Sequence, residues 1–253
     1  MSFLPTVLVT GGARRMGRAI TEDLARHGYA VAIHADRSIE EAEALAESLT
    51  REGFTAAAVK ADLLDPEQVG GLVARAAEKL GPVIGLVNNA SIFEKDTAEA
   101  FQPDIFDRHF GIHVRAPSIL SAALLNQLPE NREGLIVNII DQRVWKLTPH
   151  FYSYTLSKAA LWTATQTLAQ AYAPRVRVNA IGPGPSFKSE RQAQVDFDRQ
   201  VAGVPLKRGP APCEFGGTIR FLFDTPSITG QMIALDGGQH LAWETPDVAE
   251  IIE

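Results

Sequence analysis

The chain has 253 residues, 45% of them hydrophobic and 21% charged, which supplies enough apolar material for one large core and excludes wholesale disorder. A formal net charge of −6, with no dense basic cluster to offset it, argues against nucleic acid as a partner, because duplex binding depends on neutralising phosphates with Lys and Arg. Cys213 is the single cysteine, so an intrachain disulfide is excluded and nothing points to an oxidising compartment. Met1 to Thr10 lacks a basic start and carries too short an apolar run for a signal peptide. No stretch approaches the roughly 20 apolar residues needed to span a bilayer. The expectation is a cytoplasmic protein without membrane contact and without a metal site.

Apolar runs and amphipathic stretches alternate along the chain. Thr6–Thr10 reads as a strand, and Arg18–Arg26 as a helix stopped by Gly28. Tyr29–His34 is the next strand. Ile39–Arg51 follows as a helix with Ala42, Leu45, Ala46 and Leu49 on its apolar face. Ala56–Lys60 is a third strand, and Pro66–Leu80 a helix opened by its proline. Val83–Val87 and Leu135–Ile140 are nearly continuous apolar runs, as expected of strands covered by helices on both faces. Helices are predicted at about Pro103–Leu128 and Tyr152–Tyr172, and the last strands at Val176–Ile181 and Met232–Leu235. Strand and helix in such regular alternation predict an α/β fold: a doubly wound, parallel, Rossmann-type sheet in a single domain, 1–253. Residues 185–210 are weakly patterned and read as a substrate loop, and 239–253 as a C-terminal tail.

Thr10-Gly11-Gly12-Ala13-Arg14-Arg15-Met16-Gly17 lies between the first strand and the first helix. In that setting a helix N-terminus points free N–H groups and positive dipole at a pyrophosphate. Gly11 allows the tight turn and Gly17 the close packing of helix on strand, while Arg15 stands where the usual fingerprint has its middle glycine. Asp62, just after the third strand, is placed either to accept from an adenine amino group or to cap a helix. Asn88-Asn89-Ala90-Ser91 ends the fourth strand, on the edge where such sheets bind ligands.

Thr10–Gly17, Asn88–Ala90, Tyr154-Thr-Leu-Ser-Lys158 and Gly182-Pro-Gly184 stand in the order and spacing of the short-chain dehydrogenase/reductase superfamily, which the chain resembles over almost its whole length, through Leu235–Gly238. More narrowly, the chain resembles the pteridine reductases, especially the bacterial dihydromonapterin and dihydrofolate reductases. Arg15 in place of the central glycine, Ser91-Ile92-Phe93 after Asn88–Ala90, Asp141 where most relatives carry a catalytic Ser, and His113 where they carry Asn all point that way. The resemblance implies a sheet of about seven strands and a homodimer or homotetramer. It also implies a cofactor site built from Gly11, Arg14, Arg15, Met16, Gly17, Arg37, Ser38, Asp62, Leu63, Asn89, Ala90, Tyr154, Lys158, Pro183, Gly184 and Ser186. The substrate side would comprise Arg15, Ser91, Phe93, Asp141, Trp145 and Tyr154.

Tyr154 and Lys158 are i and i+4, so they share a helix face. A cationic lysine beside a tyrosine, with an oxidised nicotinamide, would favour the phenolate and lower a pKa that is otherwise near 10. Asp141 replaces a neutral hydroxyl. A carboxylate is a poor partner for a carbonyl oxygen but accepts well from ring N–H and amino groups, which favours a nitrogen heterocycle over a ketone. Phe93 is placed to stack on a flat ring or to pack in the core. Arg15 could bridge cofactor phosphates and a pterin edge. His113 could support Lys158 by hydrogen bonding, and Trp145 either walls the pocket or packs.

Ala35 falls where a carboxylate would select NAD, with Arg37, Ser38 and Arg14 near a 2′-phosphate, so NADP(H) is favoured over NAD(H); a one-residue shift would instead make Asp36 the NAD-selecting group. The expected reaction is NADPH-dependent reduction of a dihydropterin, with Tyr154, Asp141 or a water delivering the proton. The alternatives are a carbonyl reductase acting on an oxoacyl thioester or sugar, and a non-catalytic dinucleotide sensor.

Overall fold

The computed structural model describes residues 4–188 and 193–243. Seven strands form one sheet in the order β3-β2-β1-β4-β5-β6-β7, all neighbours parallel. They are β1 (Thr6–Val9), β2 (Ala30–Ala35), β3 (Ala56–Lys60), β4 (Val83–Asn88), β5 (Gly134–Ile139), β6 (Val176–Pro183) and β7 (Met232–Leu235). Side chains alternate across the sheet because successive residues of a strand face opposite ways. Val7 and Val9 therefore pack with Ile33, Val87 and Val137 beneath α1 (Arg15–Arg26), α2 (Ile39–Arg51) and, nearer the far edge, α9 (Pro212–Asp224). Leu8, Leu86, Ile136 and Val178 pack on the other face, against α4 (Leu72–Leu80), α6 (Ala116–Gln127) and α7 (Tyr152–Tyr172). Both faces of the sheet are thus covered, as the continuous apolar runs predict.

The strand order reverses direction between β1 and β4. In doubly wound sheets the crevice beyond the strand ends at such a switch point is where ligands bind. The glycine turn follows β1, Asn88 closes β4 and Asp141 follows β5, so the candidate residues converge there.

Local structure departs from the sequence reading in four places. The first helix begins at Arg15, not Arg18, so the glycine turn runs directly into it. The stretch 66–80 is not one helix: α3 (Pro66–Gly70) stops at Gly71, and α4 restarts at Leu72. The long helix expected at 103–128 is α5 (Pro103–Phe110), a π-helical turn at Gly111–Arg115, and α6. Within 185–210 a further helix, α8 (Gln194–Gly203), forms with no buried residue, which explains its weak apolar pattern. Of the expected tail, Gln239–Leu241 is a short 3-10 turn, while 244–253 lies outside the described residues. Among the described residues no helix is long and apolar enough to cross a membrane.

Candidate active site

The glycine turn is fixed from two sides. Gly11 adopts φ +61°, and a Cβ there would come within 3.1 Å of the Ala90 Cα. A Cβ on Gly17 would overlap the Gly11 carbonyl oxygen, so the helix approaches the turn only because no side chain intervenes. Asn89 holds the turn from the β4 side: its amide donates to the Thr10 carbonyl (2.8 Å) and the Gly11 carbonyl (3.1 Å). The Thr10 hydroxyl accepts from the backbone N–H of Asn89 and of Ala90. The Asn89 side-chain amide thus braces the turn between the ends of β1 and β4.

His34 holds the other side, and sequence reasoning missed it. Its Nδ1 accepts from the Gly11 N–H at 3.1 Å, and its Nε2 lies 3.0 Å from the Ala61 carbonyl, so Nε2 carries the proton. Its backbone carbonyl accepts from the Gly12 N–H. Burial, which penalises the charged ring, pushes its pKa down to about 4 from an ordinary 6.5. Because the folded chain resists protonation that the unfolded chain accepts, this stabilisation is complete above pH 6.5 and is lost as pH falls toward 4. The difference corresponds to roughly 3 kcal/mol. Urea unfolding of the wild type and His34→Gln, followed between pH 7 and 4, should show the wild type losing about that much more; parallel pH slopes would refute the assignment.

The first turn of α1 has no side-chain cap on Arg14. Its leading N–H groups, beside a turn kept clear of side chains, fit an anionic pyrophosphate. Arg14 is ion-paired with Glu41 of α2, and Arg15, at φ 50°, donates to the Phe187 carbonyl at 3.0 Å, which ties the turn to the chain after β6. β2 ends at Ala35. Arg37 beyond it is 97% exposed and only loosely paired with Asp36, and Ser38 precedes α2. Asp62 accepts from the Leu64 N–H while Leu63 is buried; the cap of α3 is Asp65, not Asp62. Across the crevice Pro183 closes β6, the Gly184 N–H donates to the Leu235 carbonyl, and the Ser186 hydroxyl bonds to the Gly184 carbonyl.

The reacting end is built around Tyr154, which is 6% exposed. Its hydroxyl donates to Asp141 Oδ2 at 2.9 Å, while Asp141 Oδ1 accepts from the Arg143 N–H. Burial and the carboxylate push the Tyr154 pKa well above 10. In the chain itself the tyrosine hydroxyl meets a carboxylate as well as the lysine, and the expected phenolate depends on Lys158 acting together with a bound oxidised nicotinamide. Lys158 is buried, its Nζ donating to the Ile139 carbonyl at 2.8 Å and lying 5.7 Å from the Tyr154 ring centre; burial lowers its pKa to about 8.

Phe93 presents its ring edge-on to Tyr154 at 4.7 Å and stacks on Phe151 at 4.1 Å, so one of its faces is already covered. The Arg143 guanidinium, another residue the sequence reading missed, lies 5.2 Å from the Phe93 ring centre. Trp145 is half-exposed and rests against His240 and Trp162. His113 does not hydrogen-bond to Lys158 as expected. Its Nε2 accepts from the Ile92 N–H and lies 2.8 Å from the Ser91 hydroxyl, while Nδ1 bonds to the Ser157 hydroxyl. Four residues earlier, Nε2 of His109 accepts from the Glu94 N–H. Four residues of helix rise about 6 Å and two extended residues span about 6.6 Å, so two histidines one turn apart can hold alternate N–H groups of the segment carrying Phe93.

A glycine turn at the switch point of a doubly wound sheet, with a buried tyrosine and lysine at its mouth, defines a dinucleotide-binding oxidoreductase architecture. Residues 5–199 match the family model described as short chain dehydrogenase, and the chain belongs to that family. The crystal structure of FolM alternative dihydrofolate reductase 1 from Brucella canis, complexed with NADP, is similar at 58% identity and a TM-score of 0.95, over 97% of each chain. The oxidoreductase UcpA of Salmonella typhimurium is 34% identical over 93% of this chain and 94% of its own. A 3-oxoacyl-[acyl-carrier-protein] reductase of Staphylococcus epidermidis is 28% identical over 93% of this chain and 99% of its own.

Proposed function

We propose that this chain is an NADPH-dependent reductase of a dihydropterin, of the dihydromonapterin, dihydrofolate or dihydrobiopterin type. The observation that carries the proposal is the 2.9 Å bond from the Tyr154 hydroxyl to the Asp141 carboxylate. Bound in the crevice, a nicotinamide dinucleotide supplies the hydride. Reduction of the substrate C=N bond adds that hydride to carbon and a proton to nitrogen. Tyr154, held protonated by burial and by Asp141, is the proton donor at its hydroxyl. Asp141 accepts from the amino and N–H groups of the ring, and Phe93 supplies aromatic surface beside them. Lys158, buried beside Tyr154, would hold the ribose hydroxyls of the cofactor. The exposed Arg37, with Ser38, supports the 2′-phosphate of NADP, in keeping with the NADP complex of the 58% identical relative.

The test is cofactor oxidation by the purified chain. NADPH should be consumed when 7,8-dihydropterin or dihydrofolate is added, faster than NADH under the same conditions, and Arg37→Ala should narrow the difference between the cofactors. Rapid reduction of an acetoacetyl thioester with no pterin-dependent turnover would overturn the proposal in favour of an oxoacyl reductase, the activity named for the Staphylococcus epidermidis relative.

A further inference from the structure

We infer that Asp96, which belongs to none of the sequence motifs, is a positioning residue for Tyr154. The inference rests on the reading of Tyr154 as proton donor. Helix α7 starts under unusual conditions. The residue before it, Phe151, is left-handed at φ 58°, ψ 54°, and provides no side-chain cap. The first N–H groups of a helix need partners, and here residues 153–155, beginning one residue into the helix, are buried. Asp96 supplies them from the loop after β4. Its backbone carbonyl accepts from the N–H of Phe151 (3.1 Å) and of Tyr152 (3.4 Å). Its carboxylate accepts from the Ser153 N–H (3.1 and 3.2 Å to the two oxygens) and from the Ser153 hydroxyl.

Asp96 and Ser153 are both buried, at 3% and 0% exposure. Asp96 therefore acts as the cap of a helix to which it is not adjacent in sequence, and its negative charge complements the helix dipole. The location matters for two reasons. Ser153 immediately precedes Tyr154, so the carboxylate fixes the first turn from which the tyrosine projects. Asp96 also lies three residues beyond Phe93, on the segment already held by His113 and His109. It joins that segment to α7, and with it the two rings that meet at 4.7 Å. Loss of the join would let the Tyr154 hydroxyl and Phe93 move independently, and displacement of about 1 Å at a reacting group is enough to slow chemistry on the order of 100-fold.

Asp96→Ala, Asp96→Asn and Ser153→Ala should be measured with dihydropterin and NADPH, each also in a Tyr154→Phe background. Asp96→Ala should lower kcat by on the order of 10-fold or more, with NADPH affinity within about twofold of wild type. Asn retains an acceptor of the same shape and should recover most of the loss. In the Tyr154→Phe background, Asp96→Ala should cost little further, because residues that act through one group are not additive. If Asp96→Ala does not fold, the same comparison is read from Asp96→Asn and Ser153→Ala, at least one of which should lower kcat severalfold only when Tyr154 is present. Unchanged kcat in folded variants, or an equal loss in both backgrounds, would overturn the inference. Normal turnover of Tyr154→Phe alone would instead overturn the proton-donor reading beneath it.

Discussion

Tyr154→Phe should slow dihydropterin reduction by a factor of order 10² or more and leave NADPH binding within a few-fold of the wild type. The substitution removes one oxygen and keeps the ring, so the edge contact with Phe93 and the packing over Lys158 survive. What disappears is the O–H that burial and Asp141 hold in the protonated state. A phenol whose pKa is raised holds its proton at neutral pH, and it releases that proton only to a stronger base, which the ring nitrogen becomes as hydride arrives. The variant also leaves one oxygen of Asp141 without its partner at the crevice wall, an added cost for a partly buried charge. Steady-state kcat and KM, together with NADPH titration by fluorescence, separate the two effects. Turnover close to wild type would mean that Asp141 or solvent supplies the proton.

Much of this was legible in the sequence, for identifiable physical reasons. Strands covered on both faces must be apolar throughout, so β4 and β5 were visible as runs, and alternation with amphipathic stretches is enough to imply a parallel sheet. The glycine turn was readable because Gly11 and Gly17 are needed locally. The changes at Gly71 and Gly111–Arg115 were not read, since the apolar pattern continues across them and the chain stays hydrogen-bonded: the Gly71 N–H still donates to the Glu67 carbonyl, and the π turn only lengthens the step, with the Ala116 N–H bonded to the Gly111 carbonyl. Nor were the partners of buried polar groups. His34 bonds to residues 23 and 27 positions away, and Asp96 to one 57 away, and no local pattern encodes such pairs. Two signals were present and unused: a histidine at the end of the otherwise apolar run Tyr29–His34, and His109 one helical turn before His113. The chemical meaning of Tyr154 required the structure outright. From i, i+4 spacing its partner is Lys158, whereas in space its hydroxyl belongs to Asp141.

Asp141→Ser should lower kcat/KM for dihydropterin by roughly 10- to 100-fold, the scale of one charge-assisted hydrogen bond, and leave weak ketone reduction unchanged or improved. Serine is a good N-cap, so it can keep the bond that Asp141 Oδ1 makes to the Arg143 N–H at the start of the 3-10 turn Gln142–Val144. Local structure should therefore persist, and the difference should lie in charge. For Tyr154, the substitution removes the carboxylate's contributions to its raised pKa and leaves burial opposed by the Arg143 charge, so the pKa comes down and the hydroxyl is released toward substrate. For the substrate, a pterin loses the acceptor for its amino and ring N–H groups. A ketone, by contrast, gathers negative charge on oxygen as it is reduced, and an ionised carboxylate beside that oxygen opposes the reaction, whereas a serine hydroxyl donates to it. One substitution thus moves the two substrate classes in opposite directions, which a general loss of stability cannot do. The measurement is kcat/KM for a dihydropterin and for a simple ketone, in wild type and variant. A parallel fall for both substrates would reduce Asp141 to a cap of the turn that follows β5, and a wild type that prefers the ketone would remove the pterin from the crevice altogether.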